Sequence, residues 1–480
     1  MKVRSLPQVR IPARLNRKSK AVHFMTTAVA TTIFPSAPKV HEADLPTWRL
    51  LPAIMNSSLS IWPNFAFDIL VNKRTTLGVT SILVNDPEGV RHFLISNSAN
   101  YRRPPSIRRV AVPLGGSGLF MAEGAEWRRQ RKLMAPTFTP SSISVLVPHF
   151  QEAARHLLQG VEGKPRVNLS RAFQDTALEA VLRALFSMPD HQAREQLSSL
   201  VRSYVEGAGR PGLFDGFATS EESFGFVLGK RKRFQAKWFA AIAGIIARRK
   251  AEPKLAGHHD LLDLLVELKD AETGEILSDN EIRDQSATMI FAGSETTARL
   301  MFWATYLLAL DKDEQRRLHD EIAAFPPDRV ETLDDLANWP RLRNVLLEAL
   351  RLYPPLPHIV RQANGPDTIS GMSVADNDQI WASAWVMHRH RKFWQNPTAF
   401  MPDRFAGKSA PWVQMPTYVP FGVGPRICIG LHFALSEAQI VLAHLLTRYQ
   451  ISQVGTRPVM PVGRVTIEPD HEPLFRLDRI

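Results

Sequence analysis

One long, apolar helix constrains the fold of this chain more than any other feature of its sequence. It begins at Ser278, where the S-x-x-E spacing to Glu281 lets each side chain satisfy a free backbone N–H of the other residue. Residues of a helical pattern then continue to about Asp311. At about 1.5 Å per residue such a helix crosses a whole domain, and its almost entirely apolar middle indicates burial on every side. The sequence therefore predicts one central, buried helix.

The rest of the chain indicates one large, mainly helical domain. Apolar residues at helical spacing dominate from about residue 141, and strand-like alternation is limited to short runs near residues 80–84 and 368–385. After about residue 45 there is no Gly/Ser-rich or Pro-rich linker, no internal repeat and no low-complexity block. We expect a mainly α fold with a minor β region over residues 46–480, preceded by a basic, disordered extension over residues 1–45.

The net charge of +12 is concentrated at the N terminus, where the first twenty residues carry seven Lys or Arg and no acid. This segment could touch anionic lipid, act as a targeting peptide, or precede a true start at Met25. The other cations are spread among acids without a nucleic-acid-binding motif, so we expect no nucleic-acid partner. No run reaches the about 18 apolar residues that span a bilayer, and one cysteine cannot form an intrachain disulfide. We expect a cytoplasmic monomer without a transmembrane anchor.

Two unfavourable residues interrupt the apolar middle of the central helix, within the stretch AGSETT. Gly293 costs about 1 kcal/mol relative to alanine in a helix interior, and a buried Glu295 must be paired or reached by water. A close helix crossing and a hydrogen-bonded acid would explain each residue separately. A locally opened groove, in which Glu295 and Thr296 handle the protons of a small ligand, would explain both. The helix by itself does not decide between these alternatives.

The only cysteine of the 480 residues, Cys428, lies in the stretch FGVGPRICIG. Glycines let backbone donors face the sulfur, the following segment predicts a helix with its positive end at the cysteine, and Arg426 adds a cation. We expect these features to lower the thiol pKa and to suit a thiolate that binds iron. A lone cysteine is usually buried and inert. The spaced pattern argues against that here, and it comprises Phe421, Gly424, Arg426, Cys428 and Gly430.

This stretch resembles the F-x-x-G-x-R-x-C-x-G ligand loop of the cytochrome P-450 heme-thiolate monooxygenases. Four further patterns of that family occur in the family's order, namely W-x-x-x-R at Trp127 and Arg131, A-G-x-E-T-T at 292–297, E-x-x-R at Glu348 and Arg351, and F-x-P-x-R-F at 400–405. E-x-x-R alone is a weak pattern, but the ordered set is specific. The resemblance extends from about residue 45 to the end and is to bacterial-type members without a fused reductase, because only about fifty residues follow Cys428.

The resemblance implies heme b between the long central helix and the cysteine loop, with Cys428 as the axial iron ligand. It implies that Trp127, Arg131, Arg361 and Arg426 bind the heme propionates, and that Phe421 and Gly430 complete the cofactor-binding set. It implies a structural ion-pair triad of Glu348, Arg351 and Arg404. On the oxygen side, it implies proton delivery by Thr296 and Glu295, next to Ala292 and Gly293.

The implied reaction is the activation of dioxygen and the hydroxylation of a hydrophobic small molecule, such as a fatty acid, terpenoid, steroid or aromatic. By resemblance, residues 101–124, 205–228, 290–297 and 356–360 form the walls of the substrate pocket. The glycines in the first of these segments fit a mobile entrance or an ordinary loop equally well.

Electrons are expected from an acidic ferredoxin, itself reduced by an NAD(P)H-dependent ferredoxin reductase. It would dock near Arg128, Arg129 and Lys132, although these cations could equally well solvate a helix face. Two other functional classes stay open. One is a redox-independent or peroxide-using heme enzyme, against which Thr296 and its neighbouring acid argue, and the other is a heme-binding sensor without turnover.

Overall fold

Helices make up most of the computed structural model of this protein, which describes residues 32–187, 191–210, 212–216, 218–223, 225–251, 260–269 and 273–480. Residues from Ile33 to Ile480 form one unit. The predicted mainly α fold with a minor β region is confirmed. Most of the basic extension, residues 1–31, lies outside the described residues.

The α-helices of the described chain vary from one turn to thirty-two residues. In chain order they are α1 Thr47–Asn56, α2 Pro87–Arg91, α3 Pro105–Gly115, α4 Gly124–Met134, α5 Pro140–Ser144, α6 Val147–Val161, α7 Leu169–Phe186, α8 His191–Ser203, α9 Leu213–Gly216, α10 Leu228–Ala251, α11 Leu261–Glu267, α12 Asp279–Leu310, α13 Lys312–Ala324, α14 Pro340–Leu352, α15 Ala384–Met387, α16 Pro411–Gln414 and α17 Leu431–Arg448.

Helix α12 is the predicted central helix, and its capping box is present as expected. The Ser278 hydroxyl accepts a hydrogen bond from the Glu281 N–H at 3.3 Å, and the Glu281 carboxylate accepts one from the Ser278 N–H at 2.8 Å. The helix is α-helical over its whole length and packs along α7. A Cβ atom at Gly293 would lie 2.9 Å from Cγ2 of Val181 on α7. Gly293 therefore permits a close helix crossing, the first of the two explanations given above.

The strands are short. They are β1 Val71–Thr76, β2 Val79–Val84, β3 Tyr101–Arg102, β4 His358–Ala363, β5 Asp367–Ile369, β6 Met372–Val374, β7 Gln379–Ser383, β8 Tyr449–Gln453, β9 Pro461–Gly463, β10 Ile467–Pro469 and β11 Phe475–Arg479. Those near residues 80–84 and 368–385 lie where alternation predicts them, whereas β1, β3, β4 and the pairs near the C-terminal end lie outside these regions. A five-stranded sheet has the order β1-β2-β7-β4-β3, in which β2 and β7 are parallel and the other neighbours antiparallel. Antiparallel pairs join β5 to β6, β8 to β11 and β9 to β10.

Two hydrophobic cores divide the packing between helices and sheet. The larger core surrounds α12 and includes most of α7, α14 and α17. The smaller core lies against the five-stranded sheet, with Ile82, Phe93 and Ile380 fully buried. The cysteine loop follows residues of the smaller core and precedes α17 of the larger one, so the fold places it where the two cores meet.

Residues 33–45, which the sequence assigns to the extension, contact the rest of the unit. Ile33 forms a β-bridge with Phe400, and the Tyr353 hydroxyl donates a hydrogen bond to the Ser36 carbonyl at 2.9 Å. The packed unit therefore includes these residues. None of the helices in the described part of the chain is both long enough and apolar enough to cross a membrane.

Candidate active site

A cavity of about 760 Å³ lies between α12 and the cysteine loop. Its volume is within the range of small-molecule sites, about 300–1,000 Å³, and most of its lining is apolar. Every residue for which the sequence predicts a catalytic, metal-binding or cofactor-binding role lines this one cavity. These residues are Trp127, Arg131, Ala292, Gly293, Glu295, Thr296, Arg361, Phe421, Arg426, Cys428 and Gly430.

The cysteine loop depends on glycines with left-handed backbone conformations. Gly422 has φ +74° and Gly424 has φ +70°, which side chains other than hydrogen rarely allow. A Cβ at Gly424 would also lie 2.5 Å from Cγ1 of Ile95. The loop closes where the Cys428 N–H donates to the Phe421 carbonyl at 2.9 Å. This bond fixes the position of the cysteine backbone at the edge of the cavity.

The Cys428 side chain is exposed, but the surface that it exposes faces the cavity, and protein surrounds it. Burial raises the pKa of the Cys428 thiol, while the Gly430 backbone N–H and the charge of Arg131 act in the opposite direction. The expectation of a lowered thiol pKa is therefore wrong for the chain without a bound metal, because desolvation outweighs both effects. The sequence also indicated Arg426 as the nearby cation, and the structure gives this role to Arg131. A metal that binds the sulfur must displace its proton.

Arg131 holds the cysteine loop from α4. Its Nη1 donates to the Ile427 carbonyl at 3.1 Å, next to Cys428. Burial lowers the pKa of the Arg131 guanidinium, and the cysteine partly reverses this effect. Arg131 thus links the helix that carries Trp127 to the loop that carries the thiol.

A cluster of three guanidinium groups lies at one end of the cavity and comprises Arg103, Arg361 and Arg426. Arg103 is paired with Glu123 at 2.9 Å, and the Arg426 Nη2 lies 3.6 Å from the same carboxylate. Arg426 also stacks over the Trp127 ring, with 4.4 Å from its Cζ to the ring centroid. Glu123 therefore neutralises one of the three charges, and two positive charges remain.

The pKa values of this cluster show how unfavourable the excess charge is. Burial, followed by repulsion from Arg103 and Arg426, lowers the pKa of Arg361 to about 9. Burial and Arg103 lower the pKa of Arg426 to about 10. Arg361 donates to the neighbouring Val360 carbonyl at 2.9 Å. A ligand with two negative charges would neutralise the cluster, which is the charge that two heme propionates carry.

Sequence reasoning missed Arg103, although it lies in the basic stretch YRRPP. No sequence motif marks Arg103, because its role arises from the packing of β3 beside β4, which carries Arg361. The antiparallel register pairs Arg102 with Gln362, and so brings the neighbouring Arg103 and Arg361 close together.

On α12, the two predicted proton carriers lie in different surroundings. The Thr296 hydroxyl faces the cavity and donates to the Ala292 carbonyl at 2.6 Å. Glu295 is 4% exposed and accepts one hydrogen bond from the Arg299 Nε at 2.8 Å. Gln174 and Thr466 also donate to its carboxylate, each at 3.2 Å. The buried acid is thus paired, as the sequence required, but its partners come from three separate elements.

The predicted ion-pair triad is assembled outside the cavity. Arg351 binds both carboxylate oxygens of Glu348, at 2.7 and 2.8 Å, and both side chains are fully buried. Arg404 Nε lies 3.3 Å from the same carboxylate. Arg351 also donates to three backbone carbonyls, those of His388, Pro397 and Ala399. The triad therefore ties α14 to the irregular segment that precedes the cysteine loop.

The outer face of α4 carries the three cations that the sequence proposed as a docking site. Arg128 and Lys132 are exposed. Arg129 is instead paired with Glu126 at 2.8 Å and with Glu281, the capping residue of α12. Its charge is largely neutralised, so Arg129 joins two helices and contributes less to a docking surface than the sequence suggested.

All four segments predicted as pocket walls contribute to the cavity. Other segments also line it, among them α1, the β1–β2 hairpin, residues 463–466 and residues of α7 and β7. The glycines near residue 115 are explained by close approach to α12. A Cβ at Gly115 or Gly118 would overlap the Thr288 hydroxyl, and one at Gly116 would overlap the Asp284 carboxylate. This loop is therefore pressed against the central helix.

Comparisons with known proteins show the family to which the chain belongs. The family model described as Cytochrome P450 matches residues 75–471. The chain is 30% identical over 383 residues to mouse (Mus musculus) cytochrome P450 4A10, which covers 75% of this chain and 74% of that protein. It is 28% identical over 386 residues to cyclooctatin synthase of Streptomyces melanosporofaciens, covering 79% of this chain and 83% of that protein. The crystal structure of a cytochrome P450, CYP102L1, superposes with a TM-score of 0.76 at 23% identity, covering 93% and 100% of the two chains.

Proposed function

The chain belongs to the cytochrome P450 family of heme-thiolate monooxygenases, which bind heme b, and from that premise we propose that it hydroxylates a hydrophobic small molecule with electrons from a separate ferredoxin. The observation that carries this proposal is the single cavity that brings together the Cys428 thiol, a cluster with two excess positive charges, and the Thr296 hydroxyl on apolar walls.

The residues of the cavity fit heme b. The Cys428 sulfur faces the cavity, and Arg103, Arg361 and Arg426 leave two positive charges for two propionates. Arginine offers paired donors that match a carboxylate, and in a poorly hydrated site such bonds are strong. Bound heme supplies the activation of dioxygen, which electron donation from a thiolate ligand promotes.

The chain's own residues would deliver protons and exclude bulk water. We assign the Thr296 hydroxyl as the group that donates a hydrogen bond into the cavity, after turning away from the Ala292 carbonyl that it binds at 2.6 Å. We assign Glu295 as the acid that resupplies this hydroxyl, held in place by Arg299. The apolar walls would keep other water away and so limit the unproductive loss of reducing equivalents.

The apolar lining supports a hydrophobic substrate, of the class of fatty acids, terpenoids, steroids or aromatics. A panel of such compounds should be screened against the heme-loaded protein for a low-spin to high-spin shift. Product formation that requires NAD(P)H, ferredoxin, its reductase and dioxygen would support the proposal. Product with peroxide alone would indicate a peroxide-using enzyme, and a spectral shift without product would indicate a sensor.

For the electron donor, we propose docking of an acidic ferredoxin on the outer face of α4, at Arg128 and Lys132. Complementary charge raises association rates, and these exposed cations lie on the helix that carries Arg131, which contacts the cysteine loop. With one cysteine the chain has no intrachain disulfide that would call for an oxidising compartment, and we propose that the enzyme works in the cytoplasm. We also propose that it acts as a monomer.

The docking proposal is tested by charge reversal. Arg128→Glu should slow ferredoxin-supported turnover, and the loss should shrink at high salt because screening weakens the attraction. Turnover with peroxide should be unchanged. Lys237→Glu, at an exposed cation on α10, is the matched control. Equal ferredoxin kinetics for Arg128→Glu and the control would reject this docking site.

A further inference from the structure

We propose that Gln130 and Gln285 are positioning residues that transmit the occupancy of the cavity to α4. They form a buried amide pair between the wall of the cavity and the helix that holds the cysteine loop. The inference rests on the proposed function, because it assumes that the cavity holds heme and substrate.

The loop between α3 and α4 is attached to three residues of α12. The Asp284 carboxylate accepts from the Ser117 N–H at 2.9 Å, and the Thr288 hydroxyl donates to the Gly115 carbonyl at 3.2 Å. Gln285 Oε1 accepts from the Leu119 N–H at 2.9 Å. Leu119 and Phe120 line the cavity beside Gln285. The loop and the central helix thus form one continuous wall.

Gln285 also connects this wall to α4. Its Nε2 donates to Gln130 Oε1 at 2.7 Å, and Gln130 Nε2 donates to the Ser117 carbonyl at 3.0 Å and to the Glu126 carboxylate at 2.7 Å. Gln285 is 0% exposed and Gln130 1% exposed. Since an unpaired buried amide is costly, neither side chain can leave the pair without a new partner.

Gln130 lies beside two residues of the candidate site. On α4 it lies between Trp127, which stacks under Arg426, and Arg131, which holds the cysteine loop. Glu126, the other partner of Gln130, is bound by Arg129 at the protein surface. A continuous set of hydrogen bonds therefore leads from the cavity wall at Leu119 to the outer face of α4.

If a ligand displaced residues 117–119, the hydrogen-bond partners of both amides would move at once, because Ser117 is bonded to Gln130 and Leu119 to Gln285. Because each amide is bonded to the other, the shift reaches α4 by a route separate from the direct contact that Trp127 and Arg131 make with the cavity. Asp284 provides the internal control, because it binds the same loop but has no hydrogen bond to α4 among those of the described residues.

The test is hydrogen–deuterium exchange of the heme-loaded protein with and without 4-phenylimidazole, an apolar azole chosen because its ring nitrogen is a ligand for heme iron. Peptides covering residues 116–120 and 124–134 are compared in the wild type, Gln130→Met, Gln285→Met and Asp284→Asn. The azole should slow exchange in both peptides of the wild type. In Gln130→Met and Gln285→Met the response of residues 124–134 should be lost, and in Asp284→Asn it should persist.

The absorption spectrum separates the two levels of the proposal. Without an azole-induced shift of the heme band, the heme assignment fails and this inference with it. With a normal shift, an unchanged response of residues 124–134 in both methionine variants would overturn the coupling alone. The wild type alone can also overturn the coupling, if the azole produces no change in the exchange of residues 124–134.

Discussion

Replacing Arg361 by glutamine should make the heme-free protein more stable and the heme-bound protein less able to keep its cofactor. In the heme-free chain, burial and two neighbouring guanidinium groups lower the pKa of Arg361 from 12.5 to about 9. A base whose folded pKa is lowered destabilises the fold at pH values below that pKa, where it must stay charged. A shift of this size corresponds to at most about 5 kcal/mol at neutral pH.

With heme bound, the same substitution should have the opposite effect and weaken the complex. A hydrogen bond to a charged group contributes about 1.5–3 kcal/mol, so losing one to a propionate should speed heme loss roughly ten- to hundredfold. Heme transfer to excess apomyoglobin measures this rate, and urea unfolding of the heme-free protein measures the stability. Arg128→Gln, at an exposed position of α4, should change neither quantity. A purely structural role for Arg361 would make the substitution lower the stability of the heme-free protein as well as speed heme loss. A heme-free Arg361→Gln protein less stable than the wild type would therefore refute the reasoning.

Three further changes test the local arguments. Gly424→Ala should lower the free energy of unfolding by about 2–5 kcal/mol, because it combines a left-handed φ with overpacking. Gly455→Ala, at a position with φ +82° and open space, should lower it by only about 1–2 kcal/mol. Equal losses of stability in urea unfolding would contradict the contact at Gly424. Glu348→Gln should cost about 3–5 kcal/mol because it leaves the buried Arg351 charge uncompensated, and a loss under about 1 kcal/mol would contradict this. Burial opposes the charge of Asp367, but hydrogen bonds outweigh it and lower the pKa of Asp367 from 3.8 to about 2. Asp367→Asn should therefore lower the free energy of unfolding by about 2 kcal/mol at pH 7. The difference in stability between wild type and variant should disappear as pH falls from about 4 towards 2, and a difference that stays constant with pH would exclude the mechanism.

The central helix was predictable because its determinants are local. The capping box at Ser278 and Glu281 and the apolar run fixed both its start and its burial. The order of the five-stranded sheet was not predictable, because β2 pairs in parallel with β7, almost three hundred residues later. Pairing at such separation depends on how the helices pack and leaves no pattern in either strand.

In the candidate site, too, the local features were predictable from the sequence and the long-range ones were not. The spacing around Cys428 indicated this residue as the candidate metal ligand, since the loop, its glycines and the start of α17 are contiguous. Arg103 could not be recognised, because its neighbours Arg361 and Arg426 come from distant segments. The pairing of Arg129 with Glu281 also reduced the docking surface that sequence charge alone suggested.

The error about the Cys428 pKa has a physical cause. Sequence reasoning counted the groups that favour a thiolate, but it could not weigh them against the desolvation of a sulfur enclosed by protein. The i, i+4 pairing of Arg299 with Glu295, by contrast, could have been predicted from spacing.

The central claim is that the sulfur of Cys428 coordinates heme iron, and the carbon monoxide spectrum of the reduced, heme-loaded protein tests it most directly. The account predicts the red-shifted band of an anionic sulfur ligand, and its loss in Cys428→Ala. An imidazole-like band in the wild type, or an unchanged spectrum in Cys428→Ala, would contradict it.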